Sequence, residues 1–177
     1  MGSDKALLKI DGISLIDKSL EILKSICSEI IVSSNKHLPV KNVVRIIPDE
    51  IFDIGPMGGI YSCLKHSNTE KNFILSIDSP FVNSQLLQYL FDHSGENSVT
   101  VSEYCGKIHP LIGVYSKTFI ETMEKEIALK HYKLLKAINE TDHKIVTVSE
   151  KLSFFSKNLF MNINTPEDYR AAKKSLP

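Results

Sequence analysis

Apolar and polar positions along this chain switch repeatedly between a helical and an extended period. Leu15, Ile16, Leu20, Ile22, Leu23, Ile26 and Cys27 fall largely on one helical face, which predicts an amphipathic helix over Leu15–Cys27. Glu29–Ser34 reads as a short buried strand, and Val43–Ile47 as a second one stopped by Pro48. After a loop over Ile51–Pro56, Met57–His66 is helical in pattern and Asn72–Ile77 is a third strand ending at Asp78-Ser79-Pro80. Asn83 is placed to cap a helix running to His93. Beyond Gly95 the pattern predicts strands at Ser98–Glu103 and Ile108–Tyr115, helices at Lys117–Leu129 and Lys133–Asn139, and a strand at Lys144–Val148. Thr165 as N-cap, Pro166 at the first helical position and Asp168 at the third open the last helix. Short apolar runs separated by helices imply an α/β fold, a mostly parallel sheet with helices on both faces. No repeat, low-complexity run or linker interrupts residues 1–177, so they read as one domain.

Composition narrows the function. Lys plus Arg and Asp plus Glu are 21 each, a formal net charge of zero, which argues against a general nucleic-acid or membrane-surface binder. No apolar run reaches the length of a membrane span, and no basic segment followed by an apolar stretch opens the chain. Cys27, Cys63 and Cys105 are far apart and form no C-x-x-C, so neither a disulfide framework nor a zinc site is indicated and a cytoplasmic location is expected. With no Trp there is no aromatic platform for single-stranded nucleic acid.

Candidate chemistry gathers where an open α/β sheet binds its ligands, beyond the carboxyl ends of the strands. Ser33-Ser34-Asn35, Pro48-Asp49 and Asp78-Ser79-Pro80 each follow a predicted strand, although each also suits an ordinary turn or cap. Asp78, directly after an apolar strand, is placed to hold Mg²⁺, which takes one or two carboxylates and completes its shell with phosphate oxygens and water. Lys5 follows a Met1-Gly2-Ser3-Asp4 turn of a kind that can hold a phosphate through backbone N–H groups and an ammonium; a small polar turn is the plainer reading. Gly55-Pro56-Met57-Gly58-Gly59 lets backbone approach a flat ligand, or simply crowds a helix start. His109 lies between Gly106 and an apolar strand with no Ser or Cys nucleophile to pair with, so a hydrolase triad is not supported. Asn162 and Asn164 flank Ile163 and share a side if that stretch is extended.

In their order, these motifs resemble the molybdenum cofactor guanylyltransferases, the MobA-like nucleotidyltransferases. The run is Met-Gly-Ser-Asp-Lys-Ala-Leu-Leu, Ser-Ser-Asn, Pro-Asp, Gly-Pro-Met-Gly-Gly-Ile, Asp-Ser-Pro-Phe, His-Pro-Leu and Asn-Ile-Asn-Thr-Pro-Glu-Asp. The resemblance covers essentially the whole chain and implies a Rossmann-like three-layer α/β/α fold of the nucleotide-diphospho-sugar-transferase type. It also implies Mg²⁺-dependent transfer of GMP from GTP to molybdopterin, with Lys5 on the phosphates, Asn35, Asp49 and Asp78 on the nucleotide, and Asp78 on the metal. Gly55 to Gly59 would lie by the base, and His109, Asn162 and Asn164 towards the pterin. Other cofactor-biosynthesis proteins or apo-molybdoenzymes are the expected partners. The family pattern opens with an apolar strand and Leu-Ala-Gly-Gly-x-x-x-Arg that this sequence does not carry, so its sheet is expected to show unpaired strand edges. A start upstream of Met1 is the favoured explanation, beside a truncated and inactive product. A CTP-dependent or sugar- or alcohol-phosphate transferase of the same fold, and a non-catalytic binding protein, are the competing readings.

Overall fold

A computed structural model describes residues 5–40 and 44–174. The Met1–Asp4 turn and Val43 lie outside the described residues. A short 3-10 turn at Lys5–Leu7 leads into a two-residue-stranded hairpin, β1 (Lys9–Ile10) with β2 (Ile13–Ser14), then α1 (Leu15–Lys24), β3 (Ile31–Ser33) and β4 (Arg45–Ile47). α2 (Pro56–His66), β5 (Lys71–Leu75), α3 (Ser84–Asp92), β6 (Val99–Tyr104) and β7 (Lys107–Ser116) follow. The chain then forms α4 (Phe119–Ala128), α5 (Leu134–Asn139), β8 (His143–Thr147) and α6 (Pro166–Lys174).

Most elements sit where the hydrophobic pattern places them, shortened at their ends. α1 stops at Lys24 rather than Cys27 because Ser25 folds its hydroxyl back onto the Ile22 carbonyl at 2.7 Å, closing the last turn. Asn83 caps α3 through Leu86 N–H at 2.9 Å, and its amide also donates to Phe154 O at 2.9 Å. The β1–β2 hairpin is too short to leave a period in the sequence.

Besides the β1–β2 hairpin, the described strands form two sheets, β3–β4 and β5–β7–β6–β8. Pairing is mixed rather than mostly parallel: β3–β4 and β6–β8 are parallel, while β7 runs antiparallel to both β5 and β6. The reason is local. Cys105 (φ 50°) and Gly106 (φ 76°) make a two-residue turn between β6 and β7, and so tight a connection can only join antiparallel neighbours. A bulge in β7 follows, where register jumps from Ser102↔His109 to Val101↔Gly113. Leu111 O, inside that bulge, accepts Ser76 N–H at 3.1 Å and so fixes the end of β5.

Alternate residues of the four-stranded sheet feed two cores, as expected of strands covered on both faces. Val99, Val101 and Tyr115 pack under α2, α4 and α5, whereas Ile112, Val114 and Val146 pack under α3 with Leu159. α1 joins the second face and also covers β3 with Ile16 and Leu20. The result is three layers, α/β/α. α6 closes the molecule on the β1–β2 hairpin, where Tyr169 Oη donates to Lys9 O at 2.7 Å. No helix among the described residues is long and apolar enough to cross a membrane.

Gly113 is the tightest point of the core. A Cβ there would meet Thr100 O at 2.6 Å and the Val101 and Tyr115 side chains at 3.1 and 3.2 Å. Gly113→Ala should therefore lower unfolding free energy by about 1–3 kcal/mol, as overpacking does, read as a shift of the urea midpoint at unchanged slope.

Candidate functional site

Two polar walls stand at the carboxyl end of the sheet. The first grows from the ends of β3 and β4. Ser34 N–H donates to Ile47 O at 2.8 Å, which holds the two strand ends together and sets Asn35 beside Asp49. Asn35 Oδ1 accepts Asp49 N–H at 2.9 Å and its amide reaches Asp49 Oδ2 at 3.4 Å, while Ser33 Oγ donates to Asp49 Oδ1. The carboxylate therefore lies against the first turn of α2, where the helix dipole favours a negative charge. Glycines make room for this. A Cβ on Gly58 would meet Ile51 O at 2.5 Å and Asp49 Oδ2 at 3.7 Å, and one on Gly59 would meet Ser33 Oγ at 3.4 Å and Asp49 Oδ1 at 3.5 Å.

The second wall grows from the end of β5. Asp78 O accepts Ile163 N–H at 2.8 Å, which brings Asn162 and Asn164 to the strand end from the far side of the chain. Ser79 Oγ donates to Asn162 Oδ1 at 2.8 Å and lies 3.5 Å from Asp78 Oδ1. Lys5 Nζ donates to Asn164 Oδ1 at 3.2 Å, so an ammonium is held beside the Asp78 turn. Asp168 steadies this corner from α6, accepting Asn164 N–H at 2.9 Å and Thr165 N–H at 2.8 Å, while Thr165 Oγ1 accepts Asp168 N–H at 3.1 Å. Those backbone donors, the Thr165 hydroxyl and the charge of Lys5 hold the Asp168 carboxyl below its usual range.

The structure thus brings Lys5, Asp78, Asn162 and Asn164 into one wall and Asn35, Asp49 and Gly58 into the other. Gly55 is a different case. It adopts φ 63° at the start of α2 and lines a separate hollow of about 630 Å³ with Asp53, Tyr132, Lys133 and Lys136. His109 joins neither wall directly. Its buried ring stacks on Phe160 at 4.5 Å, and Phe160 stacks in turn on Tyr104 at 5.3 Å. Phe160 precedes Met161-Asn162, so the ladder leads from β7 to the second wall. Burial, reinforced by Lys107 and opposed by Glu103, pushes the His109 imidazole below its ordinary value, which keeps the ring neutral near neutral pH.

Sequence reasoning named the Ser33 and Ser79 clusters but not their roles as donors to Asp49 and Asn162. It missed Phe160 altogether; the only signal was the run of aromatics Phe154, Phe155 and Phe160 ahead of Asn162. Among the described residues no group of three His, Cys, Asp or Glu side chains could cage a metal ion.

Residues 1–148 match the family model described as the MobA-like NTP transferase domain. A Flavobacterium johnsoniae protein named as a probable molybdenum cofactor guanylyltransferase is 34% identical over 164 residues, covering 90% of this chain and 84% of its own. The Archaeoglobus fulgidus molybdopterin-guanine dinucleotide biosynthesis protein A superposes with a TM-score of 0.81 at 23% identity, covering 98% of this chain and 90% of its own. A Mycobacterium tuberculosis protein solved in complex with manganese shares the fold at a TM-score of 0.69 and 15% identity, over 98% of this chain and 94% of its own.

The lowered His109 value has a consequence for stability. The unfolded chain binds this proton more readily than the folded one, so stability is full above the ordinary histidine value of about 6.5 and declines as pH falls below it and through the lowered value. His109→Phe keeps a ring on Phe160 and removes the proton. Urea unfolding from about pH 7.5 to about pH 5 should show a shallower loss of stability in the variant than in the parent chain.

Proposed function

The chain belongs to the MobA-like NTP transferase family, and on that footing we propose that it transfers GMP from GTP to the terminal phosphate of molybdopterin, releasing diphosphate. The observation that carries this reading is the corner in which Asn164 holds the Lys5 ammonium while Ile163 is bonded to Asp78, at the sheet end that also carries Asn35 and Asp49. The relative named for guanylyl transfer supports the choice of acceptor and base.

Asp49 is the group that selects the base. Its carboxylate is positioned by Asn35 and Ser33 and keeps acceptor capacity for two adjacent N–H donors. Guanine offers such a pair on one edge, N1–H beside N2–H₂. Cytosine offers an amino group beside an acceptor nitrogen, which a carboxylate repels. Gly58 and Gly59 leave the neighbouring surface open to a flat ring.

Asp78 suits a divalent cation. The side-chain contact described for its carboxylate is Ser79 Oγ at 3.5 Å, the outer limit of a hydrogen bond, so its oxygens remain open to a hard ion. A single carboxylate without a protein cage fits Mg²⁺ that arrives with the nucleotide and takes its other ligands from phosphate and water. When bound, the ion neutralises triphosphate charge. Lys5 adds a second positive charge towards the leaving diphosphate, and Asn164 fixes its direction. The acceptor phosphate oxygen attacks the α-phosphorus as the bond to diphosphate breaks. The protein contributes position and charge rather than covalent chemistry. His109, Asn162 and Asn164 form the acceptor side, with the neutral His109–Phe160–Tyr104 ladder as a flat apolar support for the pterin. The product then passes to other cofactor-biosynthesis proteins or apo-molybdoenzymes in the cytoplasm.

Two measurements test this reading. Asp78→Ala should lower Mg²⁺-dependent diphosphate release by about a hundredfold or more, with the circular dichroism spectrum and melting temperature unchanged; a variant that turns over at the parent rate removes Asp78 from the metal role. Mg-CTP should fail to displace bound Mg-GTP, and Asp49→Asn should narrow that preference, because the amide supplies one acceptor where the carboxylate supplies two.

A further inference from the structure

Asp49 depends on a residue that belongs to neither wall, Ser62 of α2. A side chain leaves its Cα in one direction only when the peptide planes on both sides are held, because those planes set φ and ψ. The plane before Asp49 is held by Asn35, whose Oδ1 accepts Asp49 N–H at 2.9 Å. The plane after it is held by Ser62, whose Oγ accepts Glu50 N–H at 2.8 Å. Ser33 and the Asn35 amide then fix the carboxylate on that frame.

Ser62 is fully buried, and its hydroxyl proton is spent on Gly58 O at 2.8 Å, one turn back along α2. A serine inside a helix often bonds the carbonyl four residues earlier with no wider effect. Here that bond uses the proton alone, and the oxygen reaches back twelve residues to the chain beyond β4. One hydroxyl therefore ties together two parts of the first wall, the open surface at Gly58 and the backbone that aims Asp49. The Glu50 side chain is attached to α2 separately, by Lys65 at 2.7 Å and His66 at 3.5 Å. Those pairs are partly exposed and hold less firmly than the buried hydroxyl.

We propose that Ser62 is a positioning residue: it aims Asp49 and, through Asp49, governs the choice of base. The second clause rests on the guanylyl-transfer reading above; the first does not. On that reading the carboxylate accepts N1–H and N2–H₂ of guanine together, which requires it to lie in the plane of the ring. Inosine triphosphate differs from GTP only in lacking the 2-amino group. The ratio of the ITP and GTP dissociation constants therefore reads the second of those bonds and cancels what the phosphates contribute.

The test uses the full chain with Mg²⁺. The parent should bind GTP about tenfold more tightly than ITP, or better, as one charge-assisted hydrogen bond allows. Ser62→Ala suits a helix interior and should narrow that preference to about threefold or less, since the carboxylate keeps its charge and loses its aim. Without nucleotide, the same variant should exchange the Glu50 amide about tenfold faster and displace the Asn35 side-chain amide signals in the NMR spectrum. Glu50→Gln weakens the side-chain bridges, keeps the bond to Ser62 and should retain the parent ratio. Weaker binding of both nucleotides at the parent ratio makes Ser62 a purely structural residue and overturns the proposal. Equal narrowing in Glu50→Gln also overturns it, by giving control to the loop as a whole. Unmoved Asn35 signals in Ser62→Ala overturn the aiming of Asp49. A parent chain that binds GTP and ITP alike overturns the base-choice clause along with the guanine reading, while the Glu50 and Asn35 amides decide the aiming of Asp49 independently.

Discussion

One backbone hydrogen bond, from Ile163 N–H to Asp78 O, organises the candidate site of this molecule. It joins segments 85 residues apart just beyond β5, the edge strand of the four-stranded sheet, where the chain would otherwise expose an unpaired carbonyl. Ile163 itself is fully buried with Ile10, Leu15 and Ala172, so the bond is backed by apolar packing. Because Ile163 is fixed, its two neighbours are fixed as well, one on Ser79 and one on Lys5. The irregular stretch before them is tied down in the same way, by Asn83 to the Phe154 carbonyl and by Leu159 in the core.

The two walls differ in how they treat charge. Asp49 is half-buried and satisfied by Ser33, Asn35 and its place at the start of α2, so it is held ready in one orientation. At the corner with Lys5, where Lys5 and Asp78 are half-buried and Asn164 is exposed, the charges act through solvent as well as through contacts. An arrangement of this kind suits a ligand with one rigid, directional end and one highly charged end. In the proposed function the first wall would read shape and donor pattern, and the second would balance charge.

Much of this was legible in the sequence. Helical and strand periods located nearly every element because the strands are buried and the helices amphipathic, which leaves a strong pattern. Asn83 and Thr165 were readable as caps because their role is local. Sheet direction was less legible: a two-residue turn at Cys105-Gly106 decides it for β6 and β7, and neither residue stands out from an ordinary loop. Asp49 and Asp78 stood out as candidates because each closely follows a strand predicted from the hydrophobic pattern. The stacking of Phe160 on His109 was not, since it joins an irregular segment to a strand about fifty residues away and no local pattern records such a contact. Gly58 was read as a point of close approach to a flat ligand; in the structure the nearest atoms it admits belong to Ile51 and Ile54 of the same chain, with Asp49 next.

The bond from Tyr169 to the Lys9 carbonyl places the last described helix on the first described hairpin. Together with the contact between Lys5 and Asn164, it links two segments whose synthesis is separated by most of the described chain. The four-stranded sheet and its helices have all their residues outside the ribosome before α6 appears, and domains generally form as synthesis proceeds from the amino end. The corner at Asn164 is completed only when α6 emerges, because Asp168 of that helix accepts the Asn164 and Thr165 N–H groups. A nascent chain of this protein therefore passes through a period in which most of its core is available and that corner is not, so that a stalled or clipped product can be well folded and still lack it.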